Sequence, residues 1–192
     1  MTPTIQSELE EAQVVLQRFT NDPDNLLAIE LAATAMITAI KSGKKIISCG
    51  NGGSMSDAMH FASELTGRYY RDRDPIEAIA ISDPGHLTCV SNDYSYAAVF
   101  ARWIMAHGKP GDLLLAISTS GLSENVFTAV RAAHFKEMKV VFLTGNQGGS
   151  IMDLLKPTDV AIVVPYFGHA ARIQEVHIKV IHVLVHLIES HL

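Results

Sequence analysis

His60 and Glu64, in the stretch DAMHFASELTGR, are the pair most able to do chemistry. Four residues apart, their side chains share one helix face. They could work as an acid–base couple or as two ligands of one metal ion. Taken alone, the pair is better explained as an ordinary i,i+4 contact on a solvated face. Two further stretches offer binding groups. Ser118-Thr119-Ser120-Gly121-Leu122-Ser123 collects four hydroxyls just before a predicted helix. A phosphate needs such donors, and the helix dipole complements its charge. Capping by Ser123 would explain one hydroxyl and leave three unexplained. The loop holds no lysine or arginine, which suits a monophosphate held by neutral donors and released after turnover. Gly50-Asn51-Gly52-Gly53-Ser54 allows a tight turn and a close approach of backbone to ligand, with Ser54 expected to cap the next helix. It is not a Walker A loop, because no Gly-Lys-Ser/Thr follows, nor a dinucleotide fingerprint, because Met55 stands where the third glycine belongs.

The segment 172–188 is apolar around most of its circumference, so it is expected to be buried in the domain or in an oligomer interface. Polar residues inside it need partners. Gln174 and His182 are separated by about 80° around the helix and can face one site. His186 lies further round and His177 on the other side of Gln174; both read as core histidines.

Positioning these groups requires an α/β framework. Helical spacing covers residues 5–20 and about 24–42. Five short, continuously apolar runs follow: Lys45–Cys49, Ala78–Ser82, Leu113–Ile117, Val140–Leu143 and Val160–Val164. Continuous apolarity marks strands covered on both faces. Helices are expected at 54–67, 94–106, 123–137, 150–155 and 169–190. The alternation predicts a five-stranded parallel, doubly wound sheet with helices on both faces. Ligands then bind at the carboxyl ends of the strands near the switch in strand order. Residues 1–192 read as one domain, with 1–42 as helices packing on it and in an oligomer.

The bulk composition narrows the partners. A net charge of −5 with few basic clusters is a poor match for nucleic acid. Cys49 and Cys89 form no C-x-x-C pair, so neither a zinc finger nor a secreted disulfide scaffold is expected. No basic-then-apolar leader is visible at the start, and every apolar stretch reads as too short for a membrane span. The expectation is a soluble cytoplasmic protein.

The motifs CGNGGS-x-x-DAMHF-x-x-ELTGR, AISTSG-x-SENV, LTG and RIQE-x-HIKVIH, in this order and over nearly the whole chain, resemble the sugar isomerase (SIS) domain family. Within it they closely resemble the bacterial sedoheptulose-7-phosphate isomerases. The resemblance implies a flavodoxin-like SIS fold and a homotetramer with active sites at subunit interfaces. The activity implied is aldose–ketose isomerisation of sedoheptulose 7-phosphate to D-glycero-D-manno-heptose 7-phosphate, on the way to lipopolysaccharide core heptose. Substrate contacts would fall on Asn51, Gly52, Gly53, Glu64, Asn92, Asp93, Ser118, Thr119, Ser120, Ser123 and Gln174. One zinc ion would be held by His60, Glu64, Gln174 and His182, with Glu64 as catalytic base and His182 as its acid–base partner. The pattern is broken at Ala171, where relatives often carry an acidic residue; if that carboxylate helps open the sugar ring, Asp93 is the group expected to replace it. Two other readings share the fold: a non-catalytic replication-initiator-associating protein, and an isomerase of another sugar phosphate such as arabinose 5-phosphate. The presence of Glu64, His182 and the full STSG loop favours the enzyme over the first, and the HIKVIH and DAMHF-x-x-E segments favour the heptose substrate over the second.

Overall fold

The computed structural model describes residues 1–192. Two helices lead, α1 (Thr2–Thr20) and α2 (Pro23–Lys41). Then come β1 (Ile46–Gly50), α3 (Gly53–Thr66), β2 (Ala78–Ala80), α4 (Pro84–Asp93), a 3₁₀ turn (Tyr96–Ala98), α5 (Val99–His107) and β3 (Leu113–Ser118). The chain finishes with α6 (Glu124–Phe135), β4 (Lys139–Gly145), α7 (Gly149–Met152), β5 (Val160–Val164) and α8 (Ala170–His191). All five strands are parallel, in the order β2-β1-β3-β4-β5. This is the flavodoxin-like order, whose switch point lies between β1 and β3.

The sheet divides the core in two. Leu113, Leu115 and Ile117 face α1, α2, α3 and α8, while Leu114 and Ala116 face α4, α5 and α6. Every residue of β1 and β3 is buried, which accounts for their unbroken apolar runs. Val15 and Phe19 of α1 and Ile29, Ala32 and Met36 of α2 lie in the same apolar cluster as Ile181 and Leu184 of α8. Arg172 pins α1 to the start of α8. Its Nε donates to Glu11 (3.0 Å), Nη1 to Glu175 (2.6 Å) and Nη2 to Glu8.

Three expectations need correction. The helix expected over 94–106 is a 3₁₀ turn (Tyr96–Ala98) followed by α5 (Val99–His107), and a further helix, α4 (Pro84–Asp93), precedes it where none was expected. Asp83 caps α4, accepting the His86 amide at 2.7 Å, and Pro84 occupies its first turn. That start signal sits in a polar segment with little periodicity to support it. Ser54 does not cap α3; Gly52 does, at φ +53°, and Ser54 is buried within the first turn. Finally, α2 has the length and mean hydropathy (1.2) of a membrane span, contrary to the reading of every apolar stretch as too short. It is rich in Ala, Ile and Leu, and it uses that composition to pack Ile29, Ala32, Ala33 and Met36 inside the domain.

Candidate active site

The loops after β1 and β3 meet at the switch point. Gly50 is in register with Ile117, so Asn51 and Ser118 leave adjacent strands side by side. The Asn51 and Asn125 carboxamides pair reciprocally, each Nδ2 donating to the other's Oδ1 at 2.8 Å. Tyr96 adds its hydroxyl to Asn51 Oδ1, also at 2.8 Å.

In the second loop, Ser123 takes the N-cap position of α6, yet its hydroxyl makes no cap bond. It lies 3.1 Å from Ser118 Oγ instead. The first-turn amides of α6 therefore have no side-chain acceptor, the arrangement that favours an anion. Ser120 Oγ accepts the Leu122 amide at 3.2 Å, and Thr119 is held by its carbonyl, which accepts the Gly145 amide at 3.1 Å. Gly121 is required here. Its φ is +66°, and a Cβ would stand 1.8 Å from the Gly148 carbonyl oxygen. The loop is thus pressed on the backbone that follows β4.

A second polar cluster lies between α3 and α8. His60 Nε2 and His182 Nε2 are 2.9 Å apart, with ring planes at 72°. Glu64 Oε1 is 3.6 Å from His60 Nε2. All three side chains are partly exposed. Tyr69 stacks beside His182, centroids 6.0 Å apart. Burial, reinforced by Tyr70, pushes the Tyr69 phenol up to about 12, so it stays protonated. The end of α3 is fixed by Arg73, which donates to the carbonyls of Glu64 (2.6 Å) and Leu65 (2.7 Å). Glu189 of α8 accepts the Tyr70 and Arg71 amides and pairs with Arg73. These bonds tie the Glu64 turn to α8 independently of the histidines.

The SIS domain family model matches residues 9–145. A phosphoheptose isomerase from Tolumonas auensis is 56% identical over 188 residues, spanning 98% of this chain and 96% of that protein. The chain belongs to the phosphoheptose isomerase family. Solved phosphoheptose isomerases agree with its fold. The Neisseria gonorrhoeae protein superposes with a TM-score of 0.92 at 39% identity, and the Francisella tularensis protein with 0.93 at 37%. Each comparison covers 98% of both chains.

Within this isomerase framework the expected site residues fall into three places. Asn51, Gly52, Gly53, Ser118, Thr119, Ser120 and Ser123 form the two loops at the switch point. His60, Glu64 and His182 form the cluster between α3 and α8. Gln174 joins the first group: a Cβ on Gly53 would come 2.6 Å from its Nε2, so it lies against the start of α3. Its position on α8 is about 12 Å along the axis from His182. Asn92 and Asp93 end α4 and bond to each other (2.8 Å), three residues before Tyr96.

The histidine cluster has donor types that zinc takes, but no three His, Cys, Asp or Glu side chains converge on one ion position. Two imidazole nitrogens bound to one tetrahedral ion at about 2.0–2.1 Å stand roughly 3.3 Å apart. The His60–His182 separation of 2.9 Å is within half an ångström of that, with a carboxylate oxygen alongside. Gln174 does not stand with these three in this conformation.

Four residues of the region escaped the sequence reading. Tyr96 and Asn125 hold Asn51. Asp57, one turn before His60, lines a pocket of about 410 Å³ with Gly53, Ala171 and Gln174. Burial pushes its carboxyl up to about 6 against the opposing pull of His60, and Oδ2 has no partner. Asp57 and Glu175 are the carboxylates that line the pocket beside Ala171; the i,i+3 spacing of Asp57 to His60 was the available signal. Thr144 donates its hydroxyl to the Ser118 carbonyl at 2.7 Å and accepts from His177 Nε2 at 3.0 Å, linking α8 to the hydroxyl loop.

Proposed function

We propose that the chain isomerises sedoheptulose 7-phosphate to D-glycero-D-manno-heptose 7-phosphate, the aldose–ketose step that leads to lipopolysaccharide core heptose. The observation that carries this reading is a hydroxyl-lined loop at the switch point combined with a Glu64–His60–His182 cluster on the flanking helices, in a chain 56% identical to a phosphoheptose isomerase along its length.

The phosphate anchors the far end of the sugar among Ser118, Thr119, Ser120 and Ser123 and the amides opening α6. That remote binding energy holds the reacting carbons in place. Asn51, Gly52, Gly53, Asn92, Asp93 and Gln174 contact the remaining sugar. Glu64 removes a proton from C1 of the ketose, leaving an enediolate, and returns it to C2 to form the aldose. His182 takes the proton from O1 and gives one to O2 as the charge moves between them. His60, Glu64 and His182 would hold one zinc ion, with Gln174 as fourth ligand, brought by a second copy or by a shift of its side chain. Zinc there supplies Lewis-acid polarisation of the carbonyl when bound. Glu64 serves as base in the phase of turnover when it is not a ligand.

The active form is a cytoplasmic homotetramer with sites at subunit interfaces, each chain contributing a single SIS domain. An apolar groove of about 570 Å³ between α1, α2 and α8 supports this, lined by Leu16, Phe19, Leu26, Ile37, Val183 and Leu187, with Ile5, Leu9 and Leu31 exposed on the same two leading helices. Faces of this kind are covered in stable proteins.

A panel of five-, six- and seven-carbon ketose phosphates tests the substrate. Turnover fastest on the seven-carbon ketose supports the reading; turnover confined to a five-carbon substrate overturns it. Activity that survives exhaustive chelation, with no zinc left in the protein, removes the metal.

A further inference from the structure

Asp57 stands on the same stripe of α3 as His60 and Glu64. At about 100° per residue, His60 lies roughly 60° and Glu64 roughly 20° from it around the axis. Along the seam between α3 and α8, Gln174 rests on Gly53 at one end and His182 faces His60 at the other. Asp57 falls between these two contacts, on the wall of the pocket of about 410 Å³ that Gly53 and Gln174 also line. Its Oδ2 is out of contact with solvent and makes no hydrogen bond. The pocket wall carries no lysine or arginine. The other carboxylate there, Glu175, is held by Arg172 at 2.6 Å. Asp57 follows the first turn of α3, so it neither caps the helix nor meets the strong end of its dipole. Leaving such a group half-buried without a partner costs stability. Burial, working against the attraction of His60, lifts its carboxyl to about 6. At neutral pH it is ionised and can only accept. A donor brought by a ligand would satisfy it.

We propose that Asp57 is a further substrate-binding residue, whose carboxylate accepts hydroxyl hydrogens of the sugar chain between its phosphate and the carbons that react at Glu64 and His182. The proposal deepens the isomerase reading and rests on it, because Gly53 and Gln174, the neighbours of Asp57 on the pocket wall, are the sugar contacts of that reading. A ketose phosphate carries hydroxyls on the carbons between its carbonyl and its phosphate, and each can donate. Hydrogen bonds to an ionised acceptor are the strong ones. These middle carbons do not change during isomerisation, so the contact is equal in the ground state and the transition state. It should therefore act on binding and not on kcat.

The probe is a seven-carbon polyol 7-phosphate, which has the hydroxyls and no carbonyl to isomerise, with inorganic phosphate as the reference ligand. Calorimetric titration of each into the wild type, Asp57→Ala and Asp57→Asn reads the contact, and thermal melts read the fold. Asp57→Ala should weaken the polyol phosphate about tenfold or more, as for loss of a hydrogen bond to a charged group. Inorganic phosphate, which needs only the Ser118–Ser123 loop, should change less than about threefold. Asp57→Asn keeps the shape and one acceptor oxygen and should weaken the polyol phosphate by a smaller factor. Both variants should melt at or above the wild type, because an unpartnered carboxylate has left a half-buried site. With sedoheptulose 7-phosphate as substrate, KM should rise in step and kcat should hold. Unchanged polyol affinity in Asp57→Ala overturns the proposal. So does a lower melt with both ligands weakened alike, which is the mark of a structural role, or a kcat loss at constant KM, which would make Asp57 act through His60. A wild type that binds the polyol phosphate no tighter than inorganic phosphate overturns it too. A wild type that binds the polyol phosphate tightly and does not isomerise the ketose refutes the reaction instead, and the binding comparison still decides the role of Asp57.

Discussion

At the carboxyl ends of β1 and β3 the polar side chains are committed before any ligand arrives: Asn51 to Asn125 and Tyr96, Ser118 to Ser123, Thr144 to Ser118. Seven residues along α3, His60 and His182 instead turn two ring nitrogens on each other with Glu64 beside them. Two bare lone pairs at 2.9 Å repel, so that pair needs a proton or a cation between its members. The first region is complete as it stands and behaves as a mould for binding. The second is unfinished, with acid–base and ligand capacity in reserve, as a reacting centre requires. The two are separated by about 10 Å along α3, so binding and chemistry can be perturbed one at a time.

The largest separation should come from His182→Gln, which keeps a polar side chain but removes the titrating ring. It should lower kcat by about 10²–10⁴-fold and leave phosphate inhibition unchanged. A matching loss of phosphate affinity would show that the two regions are not independent. Ser123→Ala attacks the mould instead. A hydrogen bond to a charged group contributes about 1.5–3 kcal/mol, so KM should rise roughly tenfold or more with kcat nearly constant; a kcat loss at constant KM would contradict the assignment.

The smallest effect on catalysis, though not on stability, concerns the strut between the regions. Burial drives the His177 imidazole down to about 4, against the pull of its backbone acceptor. The unfolded residue titrates near 6.5. Below that pH the unfolded chain binds a proton the folded chain refuses, so stability present above pH 6.5 is lost as pH falls towards 4, on the order of 3 kcal/mol in all. Denaturant melts at pH 7 and 4.5 should show this loss, and His177→Gln should reduce it. An equal loss in both proteins would exclude His177 as its source.

Much of this was legible in the sequence. Val160–Val164 falls where expected, and the other strands differ by one or two residues at their ends; burial on both faces gives β1 and β3 their unbroken apolar signature, while the edge strands β2 and β5 are apolar but only partly buried. The ligand loops were marked by glycines and clustered hydroxyls at strand ends. What escaped depends on long-range pairing. Asn51 meets Asn125 across 74 residues and Tyr96 across 45, and an ordinary Asn or Tyr carries no local mark of its partner. The shared angular face of Gln174 and His182 was correct as helix geometry, but it said nothing about the two turns that separate them along α8. Ser54 looked like a cap because residue type suggests it, whereas the cap falls two residues earlier, at Gly52 with its positive φ.

The central claim is that Glu64 carries the proton between the two carbons. The direct measurement is the conversion of sedoheptulose 7-phosphate by Glu64→Gln beside the unaltered protein, with thermal melts of both. The account predicts an equally folded variant with nearly all turnover lost; a folded variant that converts the ketose at the unaltered rate would contradict it.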